Sequence, residues 1–279
     1  MLDSILEALL DTVKLFPYLW ITFLLLEFME HKLGKKSGEV LKKNQKYGPI
    51  LGGILGGFPQ CGFGSMAANL FSARVISKGT LIAVFLATSD EMIPVMLSEG
   101  ADPMLILKII GFKVAVGIMI GFIVDIFFQR KEEKKEHIHE LCEHDHCSCH
   151  HDGIFLSSVK HAFKIGVFIL TVNIILNIVL FYVGEENLSH LLENQNAIVY
   201  FLSSLVGFIP NCAGSVVITE LYLAEVISTG TMLAGLLTGS GVGILLLFRA
   251  NKNIKENLGI LGILYFTGII IGFLVDIIL

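Results

Sequence analysis

Two short motifs place a cysteine after a proline and an amide residue, inside otherwise apolar sequence. They are Pro59-Gln60-Cys61 and Pro210-Asn211-Cys212. Proline removes a backbone donor and breaks a helix, and irregular backbone at membrane depth is tolerated only where it is buried or lines a watery cavity. Helix N–H groups after each cysteine could face an anion, and carbonyls before it could coordinate a cation. We therefore predict that both amides and both cysteines bind a substrate; the alternative is a packing kink in which cysteine is a small hydrophobe.

Two adjacent carboxylates lie deep in another apolar segment. Asp90 and Glu91 are 11 and 12 residues into the segment 79–98, which is about 17 Å deep by helical rise. Carboxylates are costly in hydrocarbon and are functional by default. Either could ligate a hard or borderline cation, or carry a proton. The structural alternative is an ion pair with Lys113 or Arg74.

Other polar side chains extend this candidate site. Pro94 favours unwinding of the helix at 88–90, which would let both carboxylates face the substrate. Ser89 and Ser240 are matched across the two copies and could supply hydroxyl ligands. Asn69 and Glu220 each stand eight residues beyond one of the two cysteines. We expect them to extend the pathway away from the motifs. Helix packing for the serines and pore wetting for the glutamate are equal alternatives.

A hydrophilic loop at 137–152 has the composition of a metal-binding tract. Its spacing fits no folded zinc module, so we expect a flexible chelating segment. Imidazole and thiolate together favour Zn, Ni, Co, Cu or Cd over Mg or Ca. The predicted ligands are His137, His139, Cys142, His144, His146, Cys147, Cys149, His150 and His151.

The overall composition places these residues in a membrane protein. The 279 residues are 54% hydrophobic and 16% charged, and the mean hydropathy is +0.74, whereas a soluble domain carries roughly 25% charged residues. Apolar stretches of about 20 residues recur, as membrane spans require. No basic, aromatic-interleaved surface indicates nucleic acid. We expect an all-α polytopic protein of the inner (plasma) membrane, whose partners are lipid and metal ions, with a homo-oligomer left open.

The chain is an internal duplication. A shift of 151 residues aligns 56–98 with 207–249 without a gap, and 14 of these 43 positions are identical. Internal repeats of this size typify transporters. The same shift pairs Asp125 with Asp276. Both aspartates lie at helix ends close to water, so we expect them to be structural.

Loop charge indicates that the two copies are inverted, because Lys and Arg favour the cytoplasmic side. The turn that contains Arg74 corresponds to one that contains Glu225. The acidic turn at Glu99 corresponds to a basic turn at Arg249. Each copy then crosses the membrane an odd number of times, and both chain ends lie outside. The predicted divisions are a first inverted repeat at 1–128, a cytoplasmic metal-binding loop at 129–153 and a second inverted repeat at 154–279.

Each copy contains five apolar segments. In the first copy they are 13–29, 48–59, 61–77, 79–98 and 104–128. The second would be about 18 Å long as a helix, against a hydrocarbon core of about 30 Å. We expect a broken or re-entrant Pro-x-Cys hairpin whose tip meets its inverted twin near the midplane. Five full spans per copy and three spans plus a hairpin both preserve the inversion.

The paired Pro-Gln-Cys and Pro-Asn-Cys motifs, the duplication and the His-rich central loop resemble the ten-helix heavy-metal exporters. That family is also labelled as manganese transporters and is grouped loosely with arsenic efflux permeases. The resemblance covers nearly the whole chain outside the central loop. It implies export of a metal or metalloid, and it does not fix the ion.

The leading hypothesis is a secondary active transporter, not an enzyme, that exports a divalent transition or heavy-metal cation such as Mn or Zn. The metal is the substrate and no cofactor is required. Proton antiport is the simplest coupling, since no Walker motif is present. Alternative substrates are arsenite, an organoarsenical, or a soft oxyanion or sulfur species. A membrane thiol oxidoreductase, a metal sensor and a channel are alternatives from other classes.

Overall fold

The computed structural model describes residues 47–58, 61–89, 92–128, 198–210 and 212–278, with single positions between 16 and 24 and between 155 and 174. These residues form ten α-helices and no strand. The predicted first spans, 13–29 and its counterpart, therefore lie mostly outside the described residues. The helices are α1 (Gly48–Gly56), α2 (Cys61–Ser72), α3 (Lys78–Ala87), α4 (Met92–Ser98), α5 (Pro103–Phe127), α6 (Ile198–Gly207), α7 (Cys212–Leu223), α8 (Thr229–Thr238), α9 (Gly243–Ala250) and α10 (Ile254–Ile278).

The helix boundaries follow the sequence shift. Adding 151 to the bounds of α2, α3 and α5 gives the bounds of α7, α8 and α10, and the remaining two pairs differ by one residue at one end. The helix pairs are α1/α6, α2/α7, α3/α8, α4/α9 and α5/α10. Local structure in the two halves is therefore the same, even where most side chains differ.

Within each half, the first two short helices fold back on each other and lie beside the third helix. α1 runs in the same direction as α3, because Gly48 lies against Thr80 and Gly56 lies against Val84. A Cβ at Gly56 would lie 2.5 Å from the Val84 carbonyl oxygen, so only glycine permits this approach. α2 then returns to the start of α3. The matching hairpin in the second half is α6 and α7, where a Cβ at Gly214 would lie 2.8 Å from the carbonyl oxygen of Val206.

The longest helices are α5 and α10, of 25 residues each. A 25-residue helix is about 37 Å long, enough to cross the hydrocarbon core. Within the described residues, three stretches could cross a membrane by length and composition: these two helices and Thr229–Ala250, which has an internal break. Large apolar side chains of α5 and α10 are exposed, including Leu107, Ile126, Leu258 and Phe266. Such an outer surface suits contact with lipid rather than water.

Two equivalent hydrogen-bonded clusters fix the starts of α3 and α8. Ser77 caps α3, and Asp125 accepts hydrogen bonds from the Ser77 hydroxyl at 2.6 Å and from the Gly79 N–H at 2.7 Å. In the second half Asp276 accepts from the Ser228 hydroxyl and from the Gly230 N–H. A side chain at either glycine would collide with the facing helix and the aspartate. Both aspartates therefore hold the start of a helix in place, as a structural role requires.

At the centre of the fold, helices of one half pack against helices of the other half. α2 packs against α9, and α7 packs against α4. The central helices α3 and α8 also touch each other, and every residue from 79 to 87 and from 230 to 238 is buried. Each core cluster therefore mixes side chains from both halves, for example Phe71 with Leu246 in one and Met96 with Ile218 in the other.

One end of the molecule carries an ion pair between the halves. We define the basic end as the turns 73–78 and 249–255, and the acidic end as the turns 99–102 and 224–228. At the basic end the Arg74 guanidinium lies 3.1 Å from the Glu256 carboxylate. Asn251 donates to Glu256 at 3.0 Å and to buried Asn257 at 2.8 Å. These contacts join the turn before α3 to the turn before α10.

Candidate functional site

The centre of the fold contains two matched interruptions of helix. α3 ends at Ala87 and α4 begins at Met92, while α8 ends at Thr238 and α9 begins at Gly243. Thr88 has extended backbone, with φ −54° and ψ 127°. The chain is thus unwound at Thr88 and Ser89, as the sequence predicted. Asp90 and Glu91 follow Ser89 in the sequence and lie outside the described residues.

The second interruption has a glycine where the first half has an acidic residue. Gly241 stands where the first half has Asp90, and its φ of +50° is in the left-handed region that favours glycine. The candidate carboxylates are therefore confined to one of the two interruptions. Any cation site made there is asymmetric, although the surrounding helices are duplicated.

Both matched serines of the interruptions are buried. Ser89 and Ser240 are each 2% exposed. The Ser89 hydroxyl donates to the Ala87 carbonyl at 3.1 Å. The Ser240 hydroxyl has no hydrogen-bond partner within the described part of the chain. A buried hydroxyl without a partner is costly, so Ser240 is available to a ligand or a water.

A buried lysine, expected from the sequence only as a counter-ion, joins the C-terminal ends of α3 and α8. Lys113, in the middle of α5, is fully buried. Its ammonium donates to the carbonyl of Thr88 and, at 2.9 Å, to the carbonyl of Leu236. The first is the cap of α3 and the second is in the last turn of α8. Arg74, the other predicted counter-ion, pairs with Glu256 at the basic end instead.

Each cysteine motif leads directly into a described helix. These helices begin at Cys61 and Cys212, while Gln60, Asn211 and both cysteine side chains lie outside the described residues. In the first turn of α2, a Cβ at Gly64 would lie 3.5 Å from the Ser240 carbonyl oxygen. The start of α2 therefore lies beside the interruption of the other half.

The two positions beyond the cysteines have different environments. Asn69 is 3% exposed, and its amide nitrogen has no hydrogen-bond partner in the described ranges. Glu220, its counterpart on α7, is exposed. The structure therefore buries one member of this predicted pair and leaves the other at the surface.

The arrangement offers backbone dipoles to an ion. The C-terminal ends of α3 and α8 carry partial negative charge, and the starts of α2 and α7 carry partial positive charge. Within the described residues, no group of three or more His, Cys, Asp or Glu side chains could hold a metal ion. The predicted ligands of the loop, from His137 to His151, lie outside that part of the chain. The other predicted ligands, the side chains of Asp90, Glu91, Cys61 and Cys212, also lie outside it.

Comparison with known proteins identifies the family. No curated protein and no solved structure matches the chain. The family model described as "Putative, 10TM heavy-metal exporter" matches residues 1–153 and 150–279. These matches together span the whole chain and agree with the apolar helices and lipid-suited surfaces of α5 and α10. The chain belongs to this family, whose description is that of a ten-transmembrane exporter, a class of membrane transporter.

Proposed function

We propose that this protein is a secondary active transporter that exports a divalent transition or heavy-metal cation, with Mn²⁺ and Zn²⁺ as the first candidates. The observation that carries the proposal is the interruption between α3 and α4. It unwinds a buried helix directly before two carboxylates, Asp90 and Glu91. Unwound backbone and helix ends are where transporters coordinate ions. The metal is the substrate, and no resident cofactor is needed.

The substrate site would combine groups from both halves. Asp90 or Glu91 would supply charge, and Cys61 and Cys212 would supply soft ligands. Gln60, Asn211 and Ser89 would complete the coordination, while Asn69 and Glu220 would extend the pathway. α2 packs on α9, and α7 packs on α4. This packing supports the assembly, because each helix that begins with a cysteine lies against the helix that follows the interruption of the other half.

The proposed inversion of the repeats is supported by the contacts at the basic end. Arg74 precedes α3 and Glu256 begins α10, yet they form an ion pair. α3 and α5 run in opposite directions, because Gly79 meets Gly121 and Gly117 meets Ala83. Since α5 then ends where α10 begins, these two equivalent helices run in opposite directions. The re-entrant hairpin is supported in the same way by the return of α2 to the start of α3.

This arrangement also suggests the membrane orientation. The basic end would face the cytoplasm, because Lys and Arg are retained there. Repeats 1–128 and 154–279 would then place both chain ends outside, and loop 129–153 in the cytoplasm of the inner (plasma) membrane. There the loop would collect metal before export. Proton antiport would couple the cycle through Asp90 or Glu91.

Purified protein in liposomes tests the proposal. Mn²⁺, Zn²⁺, Co²⁺, Ni²⁺, Cd²⁺ and arsenite would be offered one at a time, with a pH-sensitive dye inside. We expect saturable flux of at least one divalent metal and a proton flux in the opposite direction. Flux of arsenite alone would assign the substrate to another class, and flux of none with a readily formed Cys61–Cys212 disulfide would favour a thiol oxidoreductase.

A further inference from the structure

Both halves bury this position of the long helix, but only the first half has a lysine there. The residue equivalent to Lys113 in α10 is Leu264, which is also fully buried. Packing at this site therefore accepts an apolar side chain in one half. A lysine buried in a membrane-spanning helix is costly and marks a functional site by default. The first half buries its lysine beside the ends of α3 and α8, where the two interruptions begin.

The ammonium of Lys113 occupies a position suited to a cation. It donates to Thr88 at the end of α3 and to Leu236 in the last turn of α8. Each helix end carries about half a negative elementary charge, so the two ends together attract about one unit of positive charge. Thr88 is followed directly by Ser89, Asp90 and Glu91. A metal ion attracted by these carboxylates would meet the negative potential of the two helix ends, which the Lys113 ammonium already neutralises in part.

We propose that Lys113 is a tethered cation that competes with the substrate metal for the negative ends of α3 and α8, and thereby weakens metal binding enough for release. The inference rests on the proposed metal export and adds a residue that sets affinity. In the state described here the ammonium links one carbonyl from each half. Metal binding opposes that link electrostatically, and return of the ammonium favours departure of the metal.

The competition predicts opposite effects of one substitution on binding and on turnover. Lys113→Met removes the charge and keeps an apolar chain of similar length. Metal should then bind at least ~10-fold more tightly, because a unit charge is removed from a poorly screened interior. Maximal flux should fall, since the metal leaves slowly. Lys113→Arg keeps the charge and should remain close to the wild type in affinity.

The test is a calorimetric titration of Mn²⁺, Zn²⁺ and Cd²⁺ into the purified full chain, with flux and thermal unfolding measured on the same preparations. Lys108→Met is the control, because Lys108 is an exposed lysine of the same helix; its affinity should equal that of the wild type. Should Lys113→Met fail to fold, Lys113→Gln removes the same charge and keeps a donor for one carbonyl.

The outcomes separate the two proposals. Tighter binding with slower flux in the charge-removing variant supports the tethered cation. Unchanged affinity in that variant, while the wild type still transports metal, overturns it and leaves Lys113 as a structural tie between the halves. Absence of metal binding and flux in the wild type overturns the proposed function itself.

Discussion

At the scale of single residues, the cysteines that begin α2 and α7 carry the most direct prediction. If Cys61 and Cys212 ligate the metal, Cys61→Ala and Cys212→Ala should each weaken the binding of Zn²⁺ or Cd²⁺ by ~10-fold or more, since metal sites respond this strongly even to loss of supporting groups. Titration calorimetry measures the change. Ser72→Ala, at the far end of α2, is the control.

The metal affinities of the two cysteine variants and of the Ser72→Ala control can also contradict this prediction. Within the described residues the Ser72 hydroxyl donates to the Ala68 carbonyl of its own helix, at 2.8 Å, so its loss should leave the affinity unchanged. Equal metal affinity in all three variants would show that the Pro-x-Cys motifs are packing kinks.

Ser240 separates a ligand from a packing residue. Because its buried hydroxyl has no partner in the described part of the chain, Ser240→Ala should leave the melting temperature unchanged or raise it, since no unpaired group is then buried. The same change should weaken metal binding if the hydroxyl is a ligand. Thermal unfolding and titration of one preparation measure both quantities.

Ser203 provides the comparison, because its equally buried hydroxyl donates to the Thr231 carbonyl at 2.8 Å. Ser203→Ala should cost about 1 kcal/mol of stability. A larger loss of stability in Ser240→Ala than in Ser203→Ala would contradict this assignment.

At the scale of helices, the clusters that begin α3 and α8 should be equivalent in stability and unrelated to the substrate. Asp125→Ala and Asp276→Ala each remove an acceptor of two or more hydrogen bonds. Each should cost about 2–3 kcal/mol, as hydrogen bonds to charged groups do, with unchanged metal affinity in the folded fraction. Chemical or thermal unfolding in detergent measures the loss.

Asp102→Ala is the matched control at the same scale. Asp102 caps α5 through one exposed hydrogen bond to the Met104 N–H, at 3.0 Å, so its loss should cost only about 1 kcal/mol. A metal affinity that falls with Asp125→Ala would mean that this cluster acts on the site.

The helices also show what the sequence could and could not reveal. The interruption after Ala87 had a signal in the sequence, because Pro94 follows two carboxylates within an apolar segment and favours unwinding before it. Many identical residues of the repeats, such as Ser77 with Ser228 and Gly79 with Gly230, serve the capping clusters rather than the candidate site. Residues that are identical in the two halves therefore indicated what stabilises the fold better than they indicated what binds the substrate.

The role of Lys113 could not be derived from spacing. Its two carbonyl partners lie 25 and 123 residues away in sequence, so only the packed arrangement of α3, α5 and α8 brings them together. Its presence in an apolar helix was the available signal. The burial of Asn69 against the exposure of Glu220 was equally hidden, because matched positions in a duplicated chain predicted matched environments.

At the scale of the whole molecule, inversion predicts which turns share a side of the membrane. Single cysteines at Asp102 and Ala224 should react with an impermeant thiol reagent in intact cells, since both are exposed residues of the acidic end. Lys252→Cys, at the basic end, should react only after the reagent enters the cytoplasm. The background would lack the loop cysteines.

Two results would contradict this topology. Labelling of Asp102→Cys and Ala224→Cys from opposite sides would mean that the repeats are parallel. Labelling of Ala224→Cys and Lys252→Cys from the same side would mean that the interrupted path of α8 and α9 does not cross the membrane.

The central claim is that a divalent metal passes through the interruption that holds Asp90 and Glu91. The most direct measurement is metal flux into liposomes that contain either the wild type or Asp90→Asn/Glu91→Gln, with Asp102→Asn as a carboxylate control outside the centre. Saturable flux in the wild type and control, and none in the double variant, is the predicted result. Equal flux in all three proteins would contradict the account.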